Sequence, residues 1–240
     1  VLAFRDLCIA NPDGTVVVSG LEAEISRGEK VLIADDAGGS LKLFKVVAGL
    51  WPWGAGRIEL PDDDHIAFLP ERPYIPIGSL RGVLSYPLDP ETYPTERYVA
   101  VLRRVGLGHL EGRLREQTAW EQILSPPEQQ TISFARQLLA RPAWIFLEHA
   151  TNSLSPKGEE EMMSLLEQEL PEATVLTIGH NPALEAFHQR KLTLESGGGG
   201  PAQLRETSLR RPERRRRLTP LDLRHWLIHP LRRAGEKPRD

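Results

Sequence analysis

Apolar and polar positions alternate in short blocks from the start of the chain. LAFRDLCIA and TVVVSGLEAEI are strand-length runs separated by the turn signal NPDG, and KVLIA follows the second turn signal, RGE. The spacing predicts two hairpin strands leading into a buried one. After KVLIA comes a glycine-containing loop, DDAGGS, and then LKLFKVVAGLW, where Leu43, Phe44, Val47 and Leu50 recur at helical spacing. IAFLP (Ile66 to Pro70) predicts another buried strand, and the proline-rich PERPYIPIGS after it a long, exposed loop. Further helices are predicted over Thr95 to about Leu110, over PEQQTISFARQLLARP up to Pro142, and from roughly Lys157 to Leu170. Between and after them, AWIFLE, TVLTIGH and KLTLE predict strands, with a short helix through Ala186. This alternation of strand and helix predicts a mostly parallel sheet.

Composition narrows the picture. With 240 residues, 40% of them hydrophobic, the chain is long enough for one domain with a real core. No apolar stretch reaches the length of about 18 residues that a bilayer span needs, and VLAFRDLCIA has neither a basic leader nor a cleavage site. A start at Val1 rather than Met suggests a piece of a longer polypeptide. The lone Cys8, in an apolar run, excludes an intrachain disulfide framework and fits a reducing compartment.

The formal net charge of −3 conceals an uneven distribution. From Pro201 onward lie 12 of the 30 basic but only five of the 33 acidic residues, so the tail carries +7 and the rest −10. SGGGG (Ser196 to Gly200) predicts a linker, and the run Arg210 to Arg217 a solvated, flexible tail whose arginines suit anionic lipid better than a core; nucleic acid is not expected as a partner.

Strand, glycine loop and helix is the setting in which backbone N–H groups hold phosphate and a lysine reaches its terminal oxygens. The pattern G-x-x-x-x-G-K-S/T is nevertheless missing from ADDAGGSLKLF, so this loop alone does not distinguish a nucleotide site from an ordinary turn. A metal site built on His149, His180 and Glu148 lacks the usual ligand spacing. Trp51 and Trp53 suit docking or core packing better than a stacking platform.

The wording of the rest carries more. AGLWPWGAGRI (Ala48 to Ile58), FLPERPYIPIGSLRGVLSYP (Phe68 to Pro87), LSPPEQQTISFARQLLARP (Leu124 to Pro142), WIFLEHATNSL (Trp144 to Leu154) and TIGHNPALEAFH (Thr177 to His188) occur in this order. Together they resemble the nucleotide-binding domain of ABC transporters over about Val1 to Leu194, closest to the branch of peroxisomal fatty-acyl exporters and bacterial peptide or cobalamin importers. The resemblance implies an α/β, ABC-type P-loop NTPase fold with a mostly parallel core sheet, an antiparallel β edge and a helical subdomain at about 88–140. It places the domain at 1–196 and a Gly linker and basic tail at 197–240. It further implies ATP and Mg as cofactors, a second nucleotide-binding domain paired head to tail, a transmembrane domain as partner, and a place on the cytoplasmic face of a membrane.

Matched position by position, the resemblance also implies damage. Gly38 and Gly39 keep the phosphate cradle, but Ser40 stands at the lysine position, Leu41 at the Mg-binding hydroxyl, and Lys42 two positions late, rotated by about 100° per residue. Glu71 replaces the family's glutamine and Glu148 its Mg-supporting aspartate, so both lie at Mg-associated positions although no metal set is intact. His149 replaces the catalytic glutamate; loss of a positioned base costs about 10²–10⁴ in rate. The signature becomes Leu124-Ser125-Pro126-Pro127-Glu128, where Ser125 survives facing the partner's site but proline removes donors. Ser155 takes the place of the paired aspartate, and His180, the switch histidine, remains. The resemblance therefore implies nucleotide binding with impaired hydrolysis, His149 and His180 being the catalytic candidates. The competing reading is a non-enzymatic module that docks on a membrane subunit without nucleotide.

Overall fold

The computed structural model describes residues 1–35, 38–61, 66–196 and 199–209. Strands β1 (Leu2–Ala10) and β2 (Val16–Ile25) form the predicted hairpin, and β3 (Lys30–Asp35) leads toward helix α1 (Gly39–Val47). They are followed by β4 (Gly54–Glu59) and β5 (Ile66–Leu69), and then by the helical part. In that part β6 (Gly78–Ser79) pairs with β7 (Gln117–Thr118), surrounded by α2 (Leu80–Ser85), α3 (Thr95–Arg104), a 3-10 turn at Gly108–Arg113, α4 (Trp120–Ile123) and α5 (Pro126–Ala140). The chain then returns through β8 (Trp144–Glu148), α6 (Pro156–Glu169), β9 (Thr174–Ile178), a 3-10 turn at Pro182–Phe187, β10 (Arg190–Ser196) and β11 (Ala202–Ser208).

Among the described residues one sheet has the order β4-β1-β2-β11-β10-β3-β9-β8-β5. The run β10-β3-β9-β8-β5 is parallel throughout, whereas β1 pairs antiparallel with both β2 and β4. Every residue of β8 and β9 is buried, which explains their unbroken apolar runs in place of alternation. One apolar layer centres on Phe44, Phe68 and Phe146, whose rings meet edge to face at 5.4 and 5.2 Å on either side of Phe44. The other joins the far face of the sheet to the helical part through Tyr98, Trp120, Phe134 and Leu147.

Two expectations need correction. The helix foreseen from Thr95 to about Leu110 ends at Arg104 and resumes as a 3-10 turn at Gly108–Arg113, so that Leu107 and Leu110 are both buried. The tail foreseen from residue 197 begins too early: Ala202–Ser208 is a full partner of β10, with register from Arg190↔Ser208 to Ser196↔Ala202. Ala202 and Leu204 alternate with polar Gln203 and Arg205, a short pattern that the surrounding arginine density hid. The arginine run itself, from 210 on, lies outside the described residues.

The β1–β4 pairing depends on a close backbone approach. At Gly56 (φ 96°) a Cβ would stand 2.3 Å from the carbonyl oxygen of Asp6 and 2.7 Å from Cα of Leu7. Gly56→Ala is expected to destabilise the fold by about 2 kcal/mol or more, from strained φ and displaced backbone together. Urea unfolding of the variant, with unchanged slope and lower midpoint, is the check.

Candidate nucleotide site

Because β3, β9, β8 and β5 are parallel, the loops that leave their C-terminal ends share one edge of the sheet, the place where open α/β sheets bind ligands. Gly38, Glu71, His149 and His180 stand on these four loops. The structure thus brings together the sequence-predicted residues from distant segments, with Ser125 at the start of a helix on the adjoining helical part.

Gly38 sits in the left-handed region (φ 76°, ψ 16°), where a glycine lets the loop turn into α1. Gly39 and Ser40 are buried at the helix start, and α1 has no acidic residue in its first turn. Ser40 is only 2% exposed, whereas Leu41, which the resemblance matches to a metal-binding hydroxyl, is 39% exposed and offers no oxygen. Lys42 does not substitute for the absent lysine: its Nζ lies 5.9 Å from the ring centre of Trp51, on the flank of α1. A Mg-bound triphosphate fits this donor set poorly: the helix start offers the Ser40 hydroxyl but no amine, and Leu41 supplies no oxygen.

On the other loops, the buried Glu148 carboxylate accepts the Glu71 N–H at 3.1 Å, and Glu71 Oε1 accepts from Asn152 Nδ2 at 3.3 Å. His149 takes a positive φ of 48°, and its backbone N–H donates to the Ile178 carbonyl. Its ring lies 5.0 Å from that of His180 at 31°, and its Nε2 is 3.9 Å from Glu148, too far for a hydrogen bond. Nδ1 of His149 is buried with no hydrogen-bond partner among the described residues. His149 and His180, the two catalytic candidates, therefore pack on each other instead of converging on an open position.

Two buried side chains that sequence reasoning missed hold these loops. Gln130, 1% exposed on α5, donates through Nε2 to the Glu71 carbonyl at 3.0 Å and the His149 carbonyl at 3.4 Å, and its Oε1 accepts the Ser153 N–H at 2.8 Å. Glu159 on α6 accepts from Thr151 Oγ1 at 2.7 Å and from Asn181 Nδ2, joining the loop after β8 to the loop that carries His180. Gln130 was within the quoted LSPPEQQ segment, but only the fold reveals which way it points. Glu159 begins a run of three glutamates and had no distinguishing signal. Ser155, at the aspartate position, caps α6 by accepting the Gly158 N–H.

The start of α5 is closed from within. Pro126 and Pro127 occupy its first two positions and supply no N–H. The Glu128 carboxylate accepts both the N–H of Ser125 at 2.9 Å and its hydroxyl at 2.7 Å, and lies 3.1 Å from His109 Nε2. Burial pushes the Glu128 carboxyl up, but the hydrogen bonds from Ser125 and His109 together outweigh it and hold the group below its ordinary value of 4.5. The carboxylate also adds a negative charge to the first turn of α5, where the helix dipole favours one.

A parallel sheet with a glycine-opened helix after β3, a carboxylate-ended strand β8 and a histidine loop after β9, flanked by a helical part, defines an ABC-type nucleotide-binding domain. No protein-family model matches the chain. It is 37% identical over 196 residues to an uncharacterized ABC transporter ATP-binding protein of Haemophilus influenzae, covering 81% of this chain and 33% of that protein. It is 34% identical over 197 residues to the lysosomal cobalamin transporter ABCD4 of Mus musculus, covering 76% and 32%. The structure of a bacterial Atm1-family ABC exporter with ATP bound has the same fold, with a TM-score of 0.73 over 86% of this chain and 38% of that one at 17% identity. The chain belongs to the ABC transporter ATP-binding family, and it spans about a third of the length of these curated relatives.

The depressed Glu128 carboxyl gives a signed prediction. Its contribution to stability is fully present above 4.5 and is lost as the pH falls through the lower folded value. In thermal unfolding, Glu128→Ala should lie below the parent at pH 7, and the gap should close as the pH falls below 4.5 and through the lower folded value. A gap that widens in acid would contradict the hydrogen-bonded cap.

Proposed function

We propose that the chain is the nucleotide-binding domain of an ABC transporter in which ATP hydrolysis is impaired, working at the cytoplasmic face of a membrane against a transmembrane domain and a second nucleotide-binding domain. The observation that carries the reading is the start of α5. Two prolines remove the N–H groups of its first two residues, and the Ser125 N–H and hydroxyl are already taken up by Glu128. The P-loop side supports it independently, through Ser40, Leu41 and the diverted Lys42. Composite sites take the loop from one domain and the signature from the other, so an intact partner would not complete either one.

A second reading, a docking module that binds no nucleotide, is favoured by an exposed apolar surface. Tyr74, Ile77, Tyr86 and Leu88 are exposed, Ile77 by 84%. Beneath them Arg136, its guanidinium pushed down to about 10 by burial, donates to the carbonyls of Val83 and Tyr74 and lies against the Tyr86 ring. Such an apolar face, set by a buried cation, suits a transmembrane subunit. Nucleotide binding separates the two readings.

Steady-state phosphate release should be at least about a hundredfold below that of an intact family member, because loss of one phosphate-stabilising donor alone lowers turnover by about 10²–10³. His149→Glu alone should stay at background, since Ser40 and the closed α5 start remain. Ordinary turnover in the parent chain, abolished by His149→Ala, would overturn the proposal.

A further inference from the structure

The flank of α1 carries a constellation that neither the phosphate loop nor the docking face accounts for. Tracing the pairings, β1 is antiparallel to β2, β2 parallel to β11, β11 antiparallel to β10, and β10 parallel to β3. Hence β1 and β3 run in the same sense, and Ala10 lies at the same edge of the sheet as the loop before α1. Ala10 anchors two tryptophans: its carbonyl accepts Trp51 Nε1 at 2.9 Å, and its N–H donates to the Trp53 carbonyl at 3.1 Å. The indoles meet at 5.0 Å and 71°, Trp51 partly buried and Trp53 42% exposed beside Leu50.

Two lysines converge on this pair. Lys42 and Lys45, three residues apart on α1 and therefore on one face, bring their amines to 5.9 and 5.6 Å from the centre of the same Trp51 ring. Among the described residues no carboxylate pairs with either. Like charges at this spacing repel, and one exposed ring face compensates them weakly. An anion shared between the amines would relieve the repulsion, while the exposed Trp53 indole offers a flat stacking surface within the same patch.

We propose that Lys42, Lys45 and Trp53 form a binding site for a nucleoside phosphate on the flank of α1, the ring stacking on Trp53 and the phosphates lying between the two amines, with no metal required. The inference rests on the reading of the chain as a nucleotide-binding domain and relocates the phosphates from the loop, whose residues do not suit them, to the helix flank. It gives Lys42 a role from the position it actually occupies.

The test is calorimetric titration of the full 240-residue chain with ATP, with tripolyphosphate and with adenosine, each in EDTA. Trp53→Ala should weaken ATP about tenfold, the scale of one lost base-stacking platform, while leaving tripolyphosphate unchanged. The double variant Lys42→Ala/Lys45→Ala should weaken both phosphates, and Trp53→Phe should retain most ATP affinity. Unchanged tripolyphosphate binding doubles as evidence that Trp53→Ala is folded. ATP binding that is absent in the parent chain, or equal in parent and variants, overturns the site. So would Trp53-dependent sedimentation with phosphatidylglycerol vesicles in a chain that ignores ATP. Phosphate release measured on the same samples judges impaired hydrolysis separately: ordinary turnover would sink that reading whichever way the titrations fall.

Discussion

The side-by-side parallel pairing of β3, β9, β8 and β5 is the constraint on which the site depends. The two central strands β8 and β9 are buried throughout and must be covered on both faces, with β3 and the edge strand β5 beside them. Parallel neighbours must be joined by crossovers. Once the four lie parallel, their exits have no choice of edge. Glu148 and His149 are brought to Glu71 and His180 by burial of Trp144, Phe146 and Leu147, residues with no chemistry of their own. The fold can therefore keep delivering a constellation after its chemical content has changed.

Two polar ties make that delivery rigid. Gln130 and Glu159 are buried and bonded to loop atoms on all sides, and an unsatisfied partner in such a place costs about 1–3 kcal/mol. A hydrogen bond to a backbone atom is indifferent to the side chain next to it. Gln130 holds the carbonyl of His149 as it would hold that of any residue there, so the loop's position does not depend on the His149 side chain. Ser40 is similarly compatible with a close-packed helix start where a long charged stem was implied.

What the sequence revealed divides along the same line. The central strands were legible because burial on two faces leaves an unbroken apolar run, and α5 and α6 because proline and serine mark their starts. β11 was not: seven residues of weak alternation sit between a glycine run and dense arginines, and only pairing with β10 identifies them. For the site, residue identities at matched positions were readable, including the loss of a donor at Pro127. Directions were not. That Lys42 turns to Trp51, that His149 stacks on His180, and that Glu128 doubles back on Ser125 are facts of tertiary packing, which spacing along a helix cannot supply. The sequence suits Trp53 to docking or core, and its 42% exposure excludes only a fully buried core position.

The inward-facing cap of α5 has a thermodynamic consequence. A ligand shifts an equilibrium only by the difference in its affinity for two states, and a group that is satisfied in both contributes nothing to that difference. Ser125 and Glu128 already satisfy one another in the chain on its own. A ligand arriving at this helix start would have to compete with those bonds, and would gain only the difference between what it offers and what they already supply. The cap therefore sets a threshold that an occupant of this end of the domain must exceed.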